Sequence, residues 1–164
     1  MNRRTYLCSV VAGAGALGGT IAVADRREDP ALAYRENARV VTEREDLRLR
    51  LRQDTVRLGD TVAFEVTNTG DSTVVLGCRN PWALQRRADG QWRHVAWTED
   101  RYYQLCATEL PPGESSVTAV ELSETGLETQ AGEVRGDLRP GRYQFLLVGT
   151  SPSLATEFRV LDAG

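Results

Sequence analysis

Lysine is absent from this chain of 164 residues: all 20 cationic side chains are arginine. Schiff-base formation, lysine general bases and phosphate-loop lysines therefore have no residue to work with. Histidine and methionine occur once each and cysteine three times. That supply of soft ligands is too small for a zinc finger, and a blue-copper centre needs two histidines, a free cysteine and usually a methionine. No cofactor is expected; metal binding by carboxylates alone stays open, without a motif to mark it. No Ser, His and Asp arrangement for nucleophilic catalysis is visible, and the glycine-rich stretch from Gly13 to Gly19 belongs to the N-terminal leader rather than to a nucleotide motif. What is present, 41% hydrophobic and 26% charged residues, suits one folded domain and excludes a disordered, collagenous or multi-span membrane chain.

The chain opens with Asn2-Arg3-Arg4-Thr5-Tyr6-Leu7 and continues as a weakly apolar run without charge until Asp25. Gly13, Gly15, Gly18 and Gly19 dilute that run, and Ala22-Val23-Ala24 gives a small-x-small exit. Residues 1–24 are expected to be a signal peptide and not part of the fold. The pair Arg3 and Arg4, with Thr5, Tyr6 and Leu7 behind it, resembles a twin-arginine leader, which implies export. The alternative is a retained single-span anchor, for which Leu7 to Ala24 is short and its glycines are unfavourable. Cleavage after Ala24 removes Arg3 and Arg4 and no acid, taking the formal charge from −3 to −5. A mildly acidic exported domain speaks against nucleic-acid binding, which needs a basic face to displace counterions.

Residues 25–45 are dense in alternating charges and show neither strand alternation nor an apolar stripe, so a charged linker is expected, part of which from Pro30 suits a solvated helix. The period then switches to two. Leu47, Leu49 and Leu51 alternate with Arg48, Arg50 and Arg52, the pattern of a strand with one face in a core and the other in water. After a Leu58-Gly59-Asp60 turn, Val62, Phe64 and Val66 repeat it, and Asn68-Thr69-Gly70-Asp71 leads into 73–76, which predicts a meander. Further strands are predicted at 83–87, 91–97, 117–122, 142–148 and 155–161, with Ala88-Asp89-Gly90 as a hairpin turn. No amphipathic helix is expected after residue 45. Seven to eight short strands with turn signals every ~8–12 residues indicate an all-β fold, a two-sheet β-sandwich over 46–162.

Leu110-Pro111-Pro112-Gly113 and Leu138-Arg139-Pro140-Gly141 carry the Pro-Gly step of a type II bend. Beside the second, Asp137 and Gly141-Arg142-Tyr143 resemble a tyrosine corner, in which the phenol bonds back to upstream backbone, and Phe145 stands where an antibody domain has cysteine. Together with the segment Gly59 to Asn68, these marks make the chain from Leu47 to Leu161 similar to a prokaryotic immunoglobulin-like domain of exported proteins. The resemblance implies a fold far more than a function. The Asn-Thr-Gly step, the tryptophan hairpin and the Leu-Pro-Pro-Gly turn also resemble small bacterial proteinase-inhibitor-like sandwiches.

Cys78 and Cys106 are the cysteines left after export, and an oxidising compartment favours their pairing. A disulfide closing that loop contributes roughly 3–4 kcal/mol on the chain-entropy estimate. The alternative is a nucleophilic thiol activated by His94, which requires an unpaired cysteine and an orienting partner. His94 itself is expected to be a half-exposed strand residue. Trp82, Trp92, Trp97, Tyr102 and Tyr103 gather in the middle third of the chain. Trp92 is expected to fill space between the sheets, while Trp97, Tyr102 and Tyr103 are the candidate interaction loop, since aromatics on a rigid loop offer contact area at small entropic cost. Glu99, Asp100, Glu109 and Glu114 supply carboxylates nearby, but their spacing does not distinguish a catalytic pair from a solvated rim. The expected function is an exported, non-catalytic immunoglobulin-like module, not an enzyme, located extracellularly or at the cell surface. Its partner would be a protein or a surface polymer, with membrane contact only through an uncleaved leader. The alternative is a small secreted proteinase-inhibitor-like protein.

Overall fold

The computed structural model describes residues 39–53, 55–77, 80–98 and 107–164. In chain order the elements are β1 (Val40–Val41), β2 (Leu47–Leu51), β3 (Val56–Arg57), β4 (Thr61–Asn68), β5 (Val74–Val75), β6 (Trp82–Ala88) and β7 (Gln91–Trp97). They continue with β8 (Glu109–Leu110), β9 (Ser115–Glu121), α1 (Glu124–Gln130), β10 (Glu133–Val134), β11 (Gly141–Leu147) and β12 (Ser153–Leu161). Seven of these strands have five residues or more, and each overlaps a strand predicted from the sequence; the eighth predicted, 73–76, is reduced to the two-residue β5. The rest are two-residue bridges.

Two sheets face each other. The larger runs β1-β12-β11-β6-β7-β10, with β3 also on β12; the smaller runs β2-β4-β9; β5 and β8 form a separate ribbon. Between residues 40 and 57 the chain passes from the large sheet to the small one and back, because β1 lies parallel on Ser153 and Leu154 and β3 lies parallel on Val160 and Leu161. Val40 and Val41 are therefore strand residues at the end of the charged stretch 25–45. The core fills the space between the sheets. Phe64 of β4 stacks on Phe145 of β11 with centroids 3.9 Å apart, and Phe158 meets Phe64 edge-on at 5.3 Å. Phe145 thus spans the sandwich by aromatic packing at the position where an antibody domain places a cystine. The Tyr143 corner forms: its hydroxyl donates to the Arg139 carbonyl at 2.7 Å and accepts from the Arg139 amide at 3.1 Å.

Three features depart from the sequence expectations. The meander does not continue beyond β4, because β5 pairs with β8 rather than with β4. Asn68 is the cause: its Oδ1 accepts the Gly70 amide, and its Nδ2 donates to the carbonyls of Ser72 and Leu110, which ties the turn to β8. A short helix, α1, follows β9. Ser123 caps it by accepting from the Gly126 amide at 2.9 Å, and buried Leu127 anchors it, which offsets the weak helix preference of Thr125, Gly126 and Thr129. Finally, the β6–β7 register shifts between Leu84 and Gln85, so that Val95 is an extra residue in β7. This bulge sends Trp92 to the outer face of the large sheet, where Arg87 stacks over it at 5.1 Å; the tryptophan between the sheets is Trp82, stacked on Phe145.

Candidate functional site

The bulge at Val95 also decides where Trp97 goes. Trp97 ends β7 and is only 4% exposed, packed with Ala83, Leu146 and Ala155 on the outer side of the large sheet, with Arg135 over its ring at 5.5 Å. It therefore offers no free surface. Tyr102, Tyr103, Cys78, Cys106, Arg3 and Arg4 lie outside the described residues. His94 is buried at 7% exposure rather than half-exposed, its Nε2 lies 3.0 Å from the side-chain Nε2 of Gln85, and its ring meets Trp97 edge-on. Glu109 and Glu114 are exposed, while Glu99 and Asp100 lie outside the described residues. Among the described residues no cluster of His, Cys, Asp and Glu is placed to hold a metal ion, and no helix is long and apolar enough to cross a membrane.

The distinctive chemistry of the described surface sits on β2. Its alternation buries Leu47, leaves Leu49 and Leu51 partly covered against the core, and turns Arg48 and Arg50 outward, with exposed Arg52 continuing the row. Residues two apart along a strand are roughly 6.5–7 Å apart, so the guanidinium stems form an evenly spaced row. Across the sheet, Arg48 faces Thr67, Arg50 faces Glu65, and the Arg52 amide donates to the Ala63 carbonyl. Glu65 lies 3.6 Å from Arg52, and no carboxylate among the described residues pairs with Arg48 or Arg50. With three arginines against the one cross-strand carboxylate of Glu65, the row carries an excess of positive charge on a chain that is acidic overall.

At the start of the row a shallow cleft of about 470 Å³ is lined by Thr42, Glu43, Arg44, Arg48, Arg50 and Thr69. Arg44 grips Asp46 with two hydrogen bonds, of 2.9 and 2.6 Å, and holds the Asp46 carboxyl below its ordinary value. Thr69 secures this loop by donating to Glu45 from its hydroxyl and to Asp46 from its amide. Arg44 is thus neutralised in place, and Glu43 and Glu45 make the rim mixed in sign; the excess positive charge lies along Arg48, Arg50 and Arg52. The signal was in the sequence as the Leu-Arg alternation, but it shows only that these arginines face water. That Glu65 is the one carboxylate across the ladder from the row depends on the cross-strand register.

No curated protein matches this chain. Among solved structures, the β-glucosidase from Listeria innocua in complex with glucose is similar at 13% identity and a TM-score of 0.34, covering 70% of this chain and 16% of that one. The present chain thus spans about one sixth of that β-glucosidase. The sulfur carrier protein SoxY from Chlorobium limicola f thiosulfatophilum is similar at 6% identity and a TM-score of 0.36, covering 80% and 91% of the two chains. The archaellum periplasmic stator protein FlaG from Sulfolobus acidocaldarius is similar at 14% identity and a TM-score of 0.35, covering 68% and 99%. Likenesses this distant carry nothing about activity. The sandwich, the tyrosine corner and a family match over residues 43–144 agree with one another, and the chain belongs to the bacterial Ig-like domain family.

Proposed function

We propose that this protein is an exported, non-catalytic Ig-like module that contacts a polyanionic cell-surface polymer through Arg48, Arg50 and Arg52. The observation that carries the reading is the outward row of Arg48, Arg50 and Arg52, which faces one cross-strand carboxylate, that of Glu65. A guanidinium offers a planar fork of donors to phosphate or carboxylate oxygens, and a row of them suits a linear polyanion better than a single small ligand. Export is supported by the Arg3-Arg4-Thr5-Tyr6-Leu7 leader pattern ahead of the weakly apolar run. For the inhibitor alternative, the described part of the proposed loop offers only Trp97, which is buried.

The test is binding of the purified chain to a polyphosphodiester, a polyuronate and a neutral glucan, each at low and high salt. The expected result is retention by the two anionic polymers that fades with salt, and a loss of about tenfold or more in the double variant Arg48→Glu, Arg50→Glu. Equal binding to the neutral glucan, or an unaffected double variant, would overturn the assignment.

A further inference from the structure

The edges of the two sheets are guarded unequally. In the large sheet, β10 is a two-residue edge, and the outer side of β12 is occupied at one end by β1 and at the other by β3. In the small sheet, β2 carries the arginine row. The remaining edge, β9, has none of these protections among the described residues, where the Asn80 side chain reaches the Ser116 hydroxyl near one end. It runs seven residues as Ser-Ser-Val-Thr-Ala-Val-Glu, with no charge before Glu121, and Val117, its third residue, is 45% exposed. A strand edge left long, neutral and open is a template for another strand, and most proteins block such edges.

The register shows which groups are open. Leu122 exchanges hydrogen bonds with the β3–β4 turn: its amide donates to Asp60 and its carbonyl accepts from Gly59. Stepping back by two along the antiparallel ladder, Val120, Thr118 and Ser116 are the residues that bond to β4. The main-chain groups of Ser115, Val117, Ala119 and Glu121 therefore point away from β4. The Glu121 amide is satisfied there by the Gln130 side chain of α1 at 2.9 Å, which confirms the direction and closes the edge at that end. No strand pairs with the other three, among the described residues. In constant-type immunoglobulin domains the corresponding sheet has a fourth strand, at the position beside β9 where the described residues place none.

We propose that a second copy of this chain fills that position, with β9 pairing antiparallel to β9 about a two-fold axis at Val117. This register sets Val117 against Val117 and Ser115 against Ala119, so that every open donor and acceptor from Ser115 to Ala119 gains a partner. An isologous contact must complement itself, and a neutral strand does so without setting like charges opposite each other, since Glu114 and Glu121 fall outside the paired stretch. A charged partner strand would find no complement on it. The two three-stranded sheets become one, with an arginine row at each far edge. The inference goes beyond the polymer-binding reading and stands without it, because β9 and β2 are opposite edges of the same sheet.

The experiment is sedimentation equilibrium of the whole chain over a concentration series, alongside Val117→Lys and Val117→Thr, with amide hydrogen exchange at low and high concentration. A monomer–dimer equilibrium is expected, retained in Val117→Thr and weakened on the order of a hundredfold in Val117→Lys, whose charge the two-fold axis brings face to face. The Val117 and Ala119 amides should slow with rising concentration while that of Val120, already bonded to β4, stays constant. A chain that is monomeric throughout, or a dimer indifferent to Val117→Lys, would overturn the proposal. So would protection at Val117 and Ala119 that does not change with concentration, which would mean that the edge is covered from within one chain. Polymer binding by Val117→Lys separates failure here from failure of the arginine-face reading.

Discussion

Asn68 donates its side-chain amide to the main-chain carbonyl of Leu110 at 2.7 Å, joining two residues 42 positions apart. The same side chain donates to Ser72 and accepts from Gly70, while its backbone exchanges bonds with Gly113 and Glu114. A buried carboxamide with all its side-chain bonds made fixes a turn, the β5–β8 ribbon and the approach to β9 at once.

Asn68→Ala should therefore cost roughly 2–4 kcal/mol, because it leaves buried carbonyls without donors. Asn68→Asp should cost at least as much despite its equal size, since a carboxylate would face two carbonyl oxygens. Urea unfolding of both variants checks this; a loss under about 0.5 kcal/mol for either would show that the node is dispensable.

Tyr143 gives a prediction at alkaline pH. Burial pushes its phenol above the ordinary value, with the Arg139 hydrogen bond opposing the shift. A proton held more tightly in the folded chain than in the unfolded one stabilises the fold up to pH about 10, and that contribution is lost as pH rises from there through the folded value. Thermal melts should fall across that window in the wild type. Tyr143→Phe should melt lower at neutral pH, by about 1–2 kcal/mol, and lose this part of the alkaline slope.

Asp46 acts in the opposite direction. Its pKa is lowered by the Arg44 hydrogen bond, so its contribution is present above the unfolded value of 3.8 and lost as pH falls through the folded one. In Asp46→Asn the acid limb of the stability profile should be flatter below pH about 4, with little change at its alkaline end. An unaltered acid limb would place the acid sensitivity elsewhere.

Gly149 and Gly90 make a controlled pair. A Cβ on Gly149 would overlap the Leu76 carbonyl, whereas one on Gly90 would meet nothing within 4 Å but sits at φ +75°. Gly149→Ala should prevent accumulation of folded protein, and Gly90→Ala should cost about 1 kcal/mol through backbone strain alone. Soluble yield and unfolding midpoints distinguish the two.

The strands β2 and β4 were legible because each spends one face on the core and one on water, as Leu47 to Arg52 and Thr61 to Val66 show residue by residue, whereas β11 is buried on both faces from Tyr143 to Leu147. The tyrosine corner was legible because its bond is local. Two-residue bridges such as Val56–Arg57 and Glu109–Leu110 carry no period to detect, and α1 is built from Thr and Gly residues held by its cap and by Leu127. The bulge at Val95 reverses side-chain parity along β7, which is why Trp92 lies on the outer face rather than between the sheets. The candidate surfaces depend on what lies across a ladder or beyond an edge, and such neighbours are set by register and strand order rather than by local pattern.

The parallel seams of β1 and β3 on β12 join the first described strands to the last one. Tension applied outward from the two ends of the folded domain pulls parallel neighbours past each other along their length. It loads the hydrogen bonds at Val40–Val41 and Val56–Arg57 together, rather than opening them one at a time as in a hairpin. The architecture thus resists drag between its ends by shear, a useful mechanical property for a module tethered at one end and gripped at the other.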